Sequence, residues 1–220
     1  MPGGSRRRPG AREWRVVLDW DGTVTEIDTL HLVLERFGDV EIYRRVEDDL
    51  GRALTLHEVI AVEFETVQAP LDQVVAFVVE TARVRPGFRE LVEEFRPTVI
   101  SSGFHELIRP VLAREGVDVE VLANTVEARP EGWRVRFRDE AVCATCGEAC
   151  KRASLPTAGP VVYVGDGYSD RCAALAADRV FATAGLADYL GQRGVPFERF
   201  GDLNDVAAGL RQGGVRAPAP

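Results

Sequence analysis

Three apolar segments of this sequence each end in polar residues that could do chemistry. The first ends in Asp19 and Asp21, the second in Ser101, and the third in Asp166, with Asp170 four residues later. Two carboxylates two residues apart can face one cleft if the chain turns sharply. Such a pair either binds a hard cation or divides the work between a nucleophile and an acid. The alternative is a turn in which each Asp bonds to nearby backbone.

The second and third groups also have two interpretations. The hydroxyl of Ser101 and the free N–H groups of Ser102 and Gly103, near a helix N-terminus, could bind an oxyanion. A serine in that place is more often a plain N-cap. Asp170 could reach a cation or a basic neighbour, or it could be a first-turn acid of the next helix. Lys151, taken alone, would be a surface lysine.

A sheet must position these groups. Short runs of apolar and β-branched residues predict strands, at 14–19, 98–101, 119–123, 160–164, 179–182 and 197–200. Glu131-Gly132-Trp133, between two alternating runs, suggests a β-hairpin over 121–138. Helical spacing predicts helices at 87–95, 104–115, 169–177 and 186–193. This alternation predicts an α/β fold, a Rossmann-like parallel sheet with helices on both faces.

Residues 26–84 contain no comparable strand. Apolar residues recur there at helical spacing, beginning with Leu30, Val33, Leu34 and Phe37, and predict three or four helices. We expect this block to form a small helical cap, inserted after the first strand, over the carboxyl edge of the sheet where ligands bind in open α/β folds.

The predicted domain organisation follows from this insertion. Residues 13–25 and 85–212 form the catalytic core, and the cap of 26–84 interrupts it. The Gly/Pro/Arg-rich termini, 1–12 and 213–220, are predicted to be disordered, the former as a basic arm.

Composition excludes several classes of protein. The 220 residues are 45% hydrophobic, enough for a core without disulfides, and carry a formal net charge of −8. A negative field argues against general nucleic-acid binding, although one cleft can be locally positive. No apolar run is long enough to span a membrane, and none resembles a signal peptide. We therefore expect a cytoplasmic protein with no membrane partner; its oligomeric state cannot be read from the sequence.

In order and spacing, the motifs together resemble the haloacid dehalogenase superfamily. The family pattern is DxDGT, then Ser or Thr after a strand, then Lys, then GDxxxD, and it covers nearly the whole folded chain. The resemblance implies a Mg²⁺-dependent phosphatase that hydrolyses a small phosphorylated metabolite through an aspartyl phosphate. Asp19 would attack phosphorus, and Asp21 would protonate the leaving alcohol and then activate water. The phosphate-binding residues that the resemblance implies are Asp28, Ser101, Ser102, Gly103 and Lys151.

The same resemblance implies the metal site. Mg²⁺ would be held by the Asp19 carboxylate, the Asp21 backbone carbonyl and Asp166, while Asp170 would orient Lys151 or a metal-bound water. These roles are physically reasonable, because a dianionic phosphate repels an anionic nucleophile until Mg²⁺ and Lys offset the charge.

The helical cap resembles that of the phosphoserine-phosphatase-like branch. The segments Arg85–Phe88 and 165–174, with the Cys-rich run before Lys151, are more similar to methionine-salvage phosphatases that act on a methylthiopentenyl phosphate. Asp28 matches the place where phosphoserine phosphatases usually have a Glu that meets the substrate ammonium. It is at least as well explained as a cap for the helix beginning near Thr29.

Cys143, Cys146 and Cys150 have metal-like spacing, and Cys172 follows Asp170. A structural zinc site needs four ligands, and the sequence does not show whether Cys172 comes close. We therefore expect reduced thiols that shape the Lys151 loop and no tightly bound zinc. Zinc and a redox-sensitive pair are the alternatives.

Two rival functions use the same motifs. One is phosphotransfer to a second alcohol, which differs only in the acceptor. The other is a catalytically inactive phosphate-binding regulatory protein, which would usually have lost the nucleophile, the acid or the lysine.

Overall fold

The computed structural model describes residues 13–216. The predicted basic arm, 1–12, and the last four residues of the predicted tail lie outside the described residues. The first part of that tail packs on the core: Val215 is buried, and its N–H donates to the Leu210 carbonyl at 3.0 Å. The folded chain therefore continues beyond residue 212.

Seven strands form one sheet. They are β1 (Arg15–Leu18), β2 (Thr98–Phe104), β3 (Glu120–Glu127), β4 (Arg134–Arg136), β5 (Val161–Gly165), β6 (Arg179–Ala182) and β7 (Glu198–Arg199). Their order is β4-β3-β2-β1-β5-β6-β7, and only β3 and β4 pair antiparallel, as the predicted hairpin. This topology confirms the predicted α/β class.

Five helices lie between β1 and β2, and the first four confirm the predicted helical cap. These four are α1 (Thr29–Phe37), α2 (Val40–Asp49), α3 (Leu56–Glu65) and α4 (Leu71–Thr81). Side-chain caps begin three of them: Asp28 for α1, Asp39 for α2, and a Thr55–Glu58 capping box for α3.

The described part of the core contains five helices: α5 (Phe88–Phe95), α6 (His105–Glu115), α7 (Arg171–Ala174), α8 (Ala184–Gln192) and α9 (Leu203–Gln212). They differ from the prediction in two places. The predicted helix 169–177 is instead a 3-10 turn, Tyr168–Asp170, followed by the short α7. Helix α9 was not predicted. Among the described residues, no helix combines the length and apolarity needed to cross a bilayer.

Alternating side chains of the strands feed two apolar clusters, one on each face of the sheet. In β1, Val16 and Leu18 join the larger cluster and Val17 joins the smaller one. This period-2 pattern, buried on both sides, is what a parallel sheet between helical layers requires. Asp19 and Asp166 follow the carboxyl ends of β1 and β5, where the site forms.

Two short linkers join the cap to the core. Thr25 and Val84 form an antiparallel bridge, and the Glu26 N–H donates to the Arg83 carbonyl at 2.8 Å. On the other side of the cap, Trp133 after β3 donates its indole N–H to the Ala69 carbonyl at 2.9 Å. The cap is therefore attached to the core both at its hinge and at the β3–β4 hairpin.

Candidate active site

The loop after β1 places Asp19 at the sheet edge in a buried position. Its Oδ1 accepts from the Trp20 N–H at 2.7 Å and from Lys151 Nζ at 2.5 Å. Gly22 has φ +71°, and a Cβ at this position would lie 2.3 Å from Asp166 Oδ2. Glycine is thus required both for the sharp turn and for the approach of the third motif.

Lys151 is buried, not on the surface. It begins a 3-10 turn (Lys151–Ser154), and its Nζ lies between Asp19 Oδ1 and Asp170 Oδ1, the latter at 2.7 Å. Burial would lower the pKa of Lys151, but the two carboxylates raise it, so the ammonium stays charged. The structure therefore places a fixed positive charge beside Asp19.

Asp170 holds Lys151 in place. Its Oδ1 accepts from Lys151 and from the Tyr163 hydroxyl at 2.7 Å, and its Oδ2 accepts from the N–H groups of Asp166 and Gly167. Burial would raise the pKa of Asp170, but Lys151 and these donors lower it. Four donors fill the acceptor positions of the carboxylate, which leaves Asp170 to orient its neighbours.

Asp21, in the loop after β1, contacts the first residue of helix α1. Its Oδ1 accepts from the Thr29 N–H at 2.9 Å and from the Thr29 hydroxyl, and its Oδ2 accepts from Ser101 Oγ at 3.4 Å. Burial and the nearby charge of Asp28 raise the pKa of Asp21 to about 7. A carboxyl with this pKa can both give and take a proton near neutral pH.

Ser101 is not an N-cap, so that alternative is wrong. Strand β2 continues to Phe104, and the register with β3 shifts between Ile100 and Phe104. Such a bulge re-aims side chains at a strand end. Ser101 Oγ accepts from the Gly103 N–H at 2.8 Å. Ser102 and Gly103 line a cavity that lies between the sheet and the cap.

Three carboxylates lie close enough to share a cation. One oxygen from each of Asp19, Asp166 and Asp170 falls within 4.8 Å of the others. Burial and Asp170 raise the pKa of Asp19, and the same two causes raise the pKa of Asp166 to about 6. Lys151 neutralises only part of this negative charge, so the oxygen-rich site suits a hard divalent cation. Because Asp170 is filled by its four donors, Asp19 and Asp166 are the side chains that fit as ligands.

A cavity of about 380 Å³ separates this edge of the sheet from the cap. Asp19, Asp21, Asp166 and Lys151 lie on its core side. Besides Glu26 in the linker, four ionisable residues of the cap also line it: Asp28, His31, Glu47 and Glu63. We call these four residues the cap cluster. Sequence analysis missed His31, Glu47 and Glu63, because single residues on three different helices form no local motif.

Both interpretations of Asp28 have structural support. One oxygen, Oδ1, accepts from the N–H groups of Leu30 and His31 and so caps α1. The other, Oδ2, lies 3.8 Å from His31 Nε2, which is equally far from Glu47 Oε1. Asp28 therefore caps the helix and also faces the cavity.

Two residues of the cap cluster, His31 and Glu63, have raised pKa values. Burial would lower the pKa of His31, but the nearby carboxylates of Glu47 and Asp28 raise it to about 9. Burial and the charge of Glu47 raise the pKa of Glu63 to about 8. Glu63 is 3% exposed, and its Oε1 has no hydrogen-bond partner in the part of the chain that the structure describes.

These shifts predict that the protein loses stability as the pH rises from about 5 to about 9. The folded-state pKa of both Glu63 and His31 lies above its ordinary value, so the folded chain holds more protons over this range. Asp28 and Glu47 face the same groups, and their charges are among the causes of both shifts. Glu63→Gln, which stays neutral, should weaken the fall in melting temperature.

Melting temperature measured from about pH 5 to about pH 9 tests this expectation. Glu65→Gln is the matched control, since Glu65 is exposed on the same helix. If both variants keep the wild-type pH dependence, Glu63 does not carry the effect.

The four cysteines also come together. One ligand atom from each of Cys143, Cys146, Cys150 and Cys172 lies within 4.8 Å of the others. The sequence left open whether Cys172 comes close to the loop, and the structure places it there, in the short helix α7.

Comparison with known proteins identifies the class. The family model of haloacid dehalogenase-like hydrolases matches residues 16–175, so the chain belongs to that family. A 2-hydroxy-3-keto-5-methylthiopentenyl-1-phosphate phosphatase of Brevibacillus brevis is 28% identical over 208 residues, 88% of this chain and 93% of that protein.

Two solved structures show the same fold. A phosphoserine phosphatase from T. onnurineus has a TM-score of 0.65 at 21% identity, covering 94% of this chain and 98% of that one. A phospho-aspartyl intermediate analogue of phosphoserine phosphatase has a TM-score of 0.67 at 15% identity, covering 90% and 99%. The predicted recognition is confirmed, and family and fold agree with an enzyme that is a phosphoric monoester hydrolase.

Proposed function

We propose that this protein is a Mg²⁺-dependent phosphatase that hydrolyses a small phosphomonoester through an aspartyl phosphate on Asp19. One observation carries the proposal: the buried Asp19 carboxylate is held by Lys151, while Asp21, two residues on, has a pKa of about 7. A nucleophile, a fixed cation and a proton carrier thus meet at one end of the cavity.

The chain's own residues account for both halves of the reaction. In the first, an Asp19 oxygen forms a bond to phosphorus, the bond to the substrate alcohol breaks, and Asp21 gives its proton to the departing oxygen. In the second, water attacks phosphorus, Asp21 takes the water proton, and the bond to Asp19 breaks to release phosphate. Asp21 is protonated again at the end, so the cycle closes.

Charge is the main obstacle to the first step. Asp19, Asp166 and Asp170 are acidic, and the incoming phosphate adds negative charge. Lys151 offsets part of it, held in place by Asp170 and Tyr163. Asp19 and Asp166 would hold Mg²⁺, which would supply further positive charge to offset that of the phosphoryl group.

The cap cluster favours a substrate without a free carboxylate. Asp28, Glu47 and Glu63 face the cavity. Arg85, which also lines it, is engaged by the carbonyls of Thr23, Gly22 and Gly201. A second substrate anion would therefore meet the carboxylates of Asp28 and Glu47, whose charge the protonated His31 offsets only in part, and would find no free guanidinium.

Apolar side chains complete the same wall. Leu30, Leu50, Leu56 and Ile60 contribute to the lining of the cavity. A polyhydroxylated or enolic phosphate with an apolar tail, like the methylthiopentenyl phosphate in the name of the Brevibacillus relative, fits this surface better than phosphoserine.

A phosphate-release assay tests the function and the substrate class together. Para-nitrophenyl phosphate, phosphoserine, sugar phosphates and the methylthiopentenyl phosphate are each incubated with Mg²⁺ or with a chelator. We expect release in Mg²⁺ and a drop of at least about 10²-fold after metal removal, since bound metal is worth several kcal/mol of charge stabilisation. We also expect phosphoserine to be the poorer substrate of the two named by the relatives.

The rival functions give different outcomes. A phosphotransferase would make less phosphate and more phosphorylated acceptor when an alcohol is added. A regulatory protein would bind the phosphates without releasing any. Preference for phosphoserine over the methylthiopentenyl phosphate would show that the cap cluster accepts a carboxylate.

A further inference from the structure

The four cysteines form a compact group beside the candidate active site. Cys143, Cys146 and Cys150 lie on the loop that leads to Lys151, and Cys172 lies in α7 directly after Asp170. All four sulfur atoms fall within 4.8 Å of one another, and those of Cys143 and Cys172 are 3.9 Å apart. Residues almost thirty positions apart in sequence thus converge on one point.

This spacing matches a tetrahedral zinc site. With Zn–S distances of about 2.3 Å, four sulfurs at the corners of a tetrahedron lie about 3.8 Å apart. A disulfide would instead require about 2.05 Å within a pair and would leave the other two thiols unexplained. The mutual proximity of all four sulfurs is the feature that distinguishes a metal site from a pair.

The backbone of the loop is shaped around the sulfur of Cys143. The Gly147 N–H donates to the Cys143 carbonyl at 2.9 Å, and the Thr145 N–H donates to Cys143 Sγ at 3.4 Å. Gly147 has φ +82°, a conformation that favours glycine and lets the chain turn directly after Cys146. N–H donors aimed at sulfur stabilise a thiolate, the form that binds metal.

Positive charge is also close to the cluster. Four thiolates and one Zn²⁺ carry two negative charges together. Arg171 lines the same cleft as Cys146, Cys150 and Cys172, and its side chain stacks on the rings of Tyr168 and Tyr189. A guanidinium fixed beside an anionic centre favours it.

We propose that Cys143, Cys146, Cys150 and Cys172 bind one structural Zn²⁺. Binding releases the four thiol protons and closes the coordination shell with four protein ligands, as structural sites do. The ion joins the loop that carries Lys151 to the helix that follows Asp170, and so fixes the two partners of a buried ion pair. This replaces the expectation of unliganded thiols drawn from the sequence.

Elemental analysis of the whole chain tests the site. The protein is expressed without a polyhistidine tag, purified with a reductant and dialysed against a magnesium buffer. We expect about one zinc per chain in the wild type and in Thr145→Ala, a control in the same loop that keeps all four cysteines. Cys146→Ser should lose most of it. Wild type with little zinc, or Cys146→Ser with full zinc, overturns the proposal.

A second measurement covers the case in which Cys146→Ser does not fold. The reduced wild type is stripped with a chelator and titrated with Co²⁺. We expect thiolate-to-cobalt charge-transfer absorption and the intense visible bands of tetrahedral cobalt, saturating near one equivalent and displaced by Zn²⁺. Absence of these bands, or a mass lower by two hydrogens that shows a disulfide, contradicts the site. Neither measurement depends on phosphatase activity.

Discussion

Asp19→Asn is expected to lower kcat/KM for any phosphomonoester substrate by at least about 10⁴-fold, in the range seen when other covalent nucleophiles are removed. The amide can still accept from Lys151 and Trp20, which now bond to Asp19 Oδ1, but it cannot attack phosphorus. The fold should persist, so the loss is chemical. Steady-state phosphate release, with circular dichroism as a check of folding, measures it.

Asp21→Asn is the matched comparison. It removes the proton carrier and leaves the nucleophile, so activity should fall by about 10²–10⁴-fold, the usual value of acid–base help. Mg²⁺ binding should survive, because the backbone carbonyl and not the side chain of Asp21 is the proposed ligand.

A structure of the protein with beryllium fluoride, an analogue of the phosphoryl group, tests which carboxylate is the nucleophile. The analogue should be bound to Asp19; finding it on Asp21 or Asp166 would reverse the proposed roles.

Lys151→Met is expected to reduce both activity and stability. The ammonium lies between two buried carboxylates, Asp19 and Asp170, and all three side chains are almost inaccessible. Removing one partner of a buried ion pair typically costs about 3–5 kcal/mol. Activity should fall by about 10²–10³-fold or more, as when a donor to a developing anion is lost.

Arg152→Met is the control for this change, because Arg152 is the adjacent cation on the same 3-10 turn. Urea denaturation should show a lower midpoint for Lys151→Met only, with similar slopes for both variants. Equal midpoints for the two variants would mean that protonation of Asp19 or Asp170 compensates for the lost charge. Equal activities of the two variants would show that Lys151 does not act in the phosphate site.

Local sequence determined the part of the site that lies at strand ends. The β-branched runs before Asp19 and Asp166 predict β1 and β5, because such runs suit buried parallel strands and glycine stops them. Parallel strands end at one edge, so the two acidic motifs had to meet. Helix α9 could also have been predicted from the sequence, since Leu203, Val206 and Leu210 follow an Asp202 cap at helical spacing.

The environment of each side chain depended on tertiary structure. Whether Lys151 is exposed or buried between two carboxylates is decided by where its loop packs, and a lone lysine carries no signal of this. Ser101 could be an N-cap or a site residue until the bulge in β2 is seen. The burial of Lys151 and the position of Ser101 both depend on chain segments many residues away.

The cap cluster and the cysteine cluster show the same limit. Glu63 and His31 lie on different helices, and only the packing of α1 against its neighbours brings them to one cavity. Cys172 joins the other three cysteines because the chain passes through β5 and turns at Asp166 before α7 begins. The periodic patterns that predict strands and helices relate residues only two to four positions apart. Contacts across tens of residues are set by the packing of whole elements, which is why the position of Asp19 at a strand end was predictable and the cysteine cluster was not.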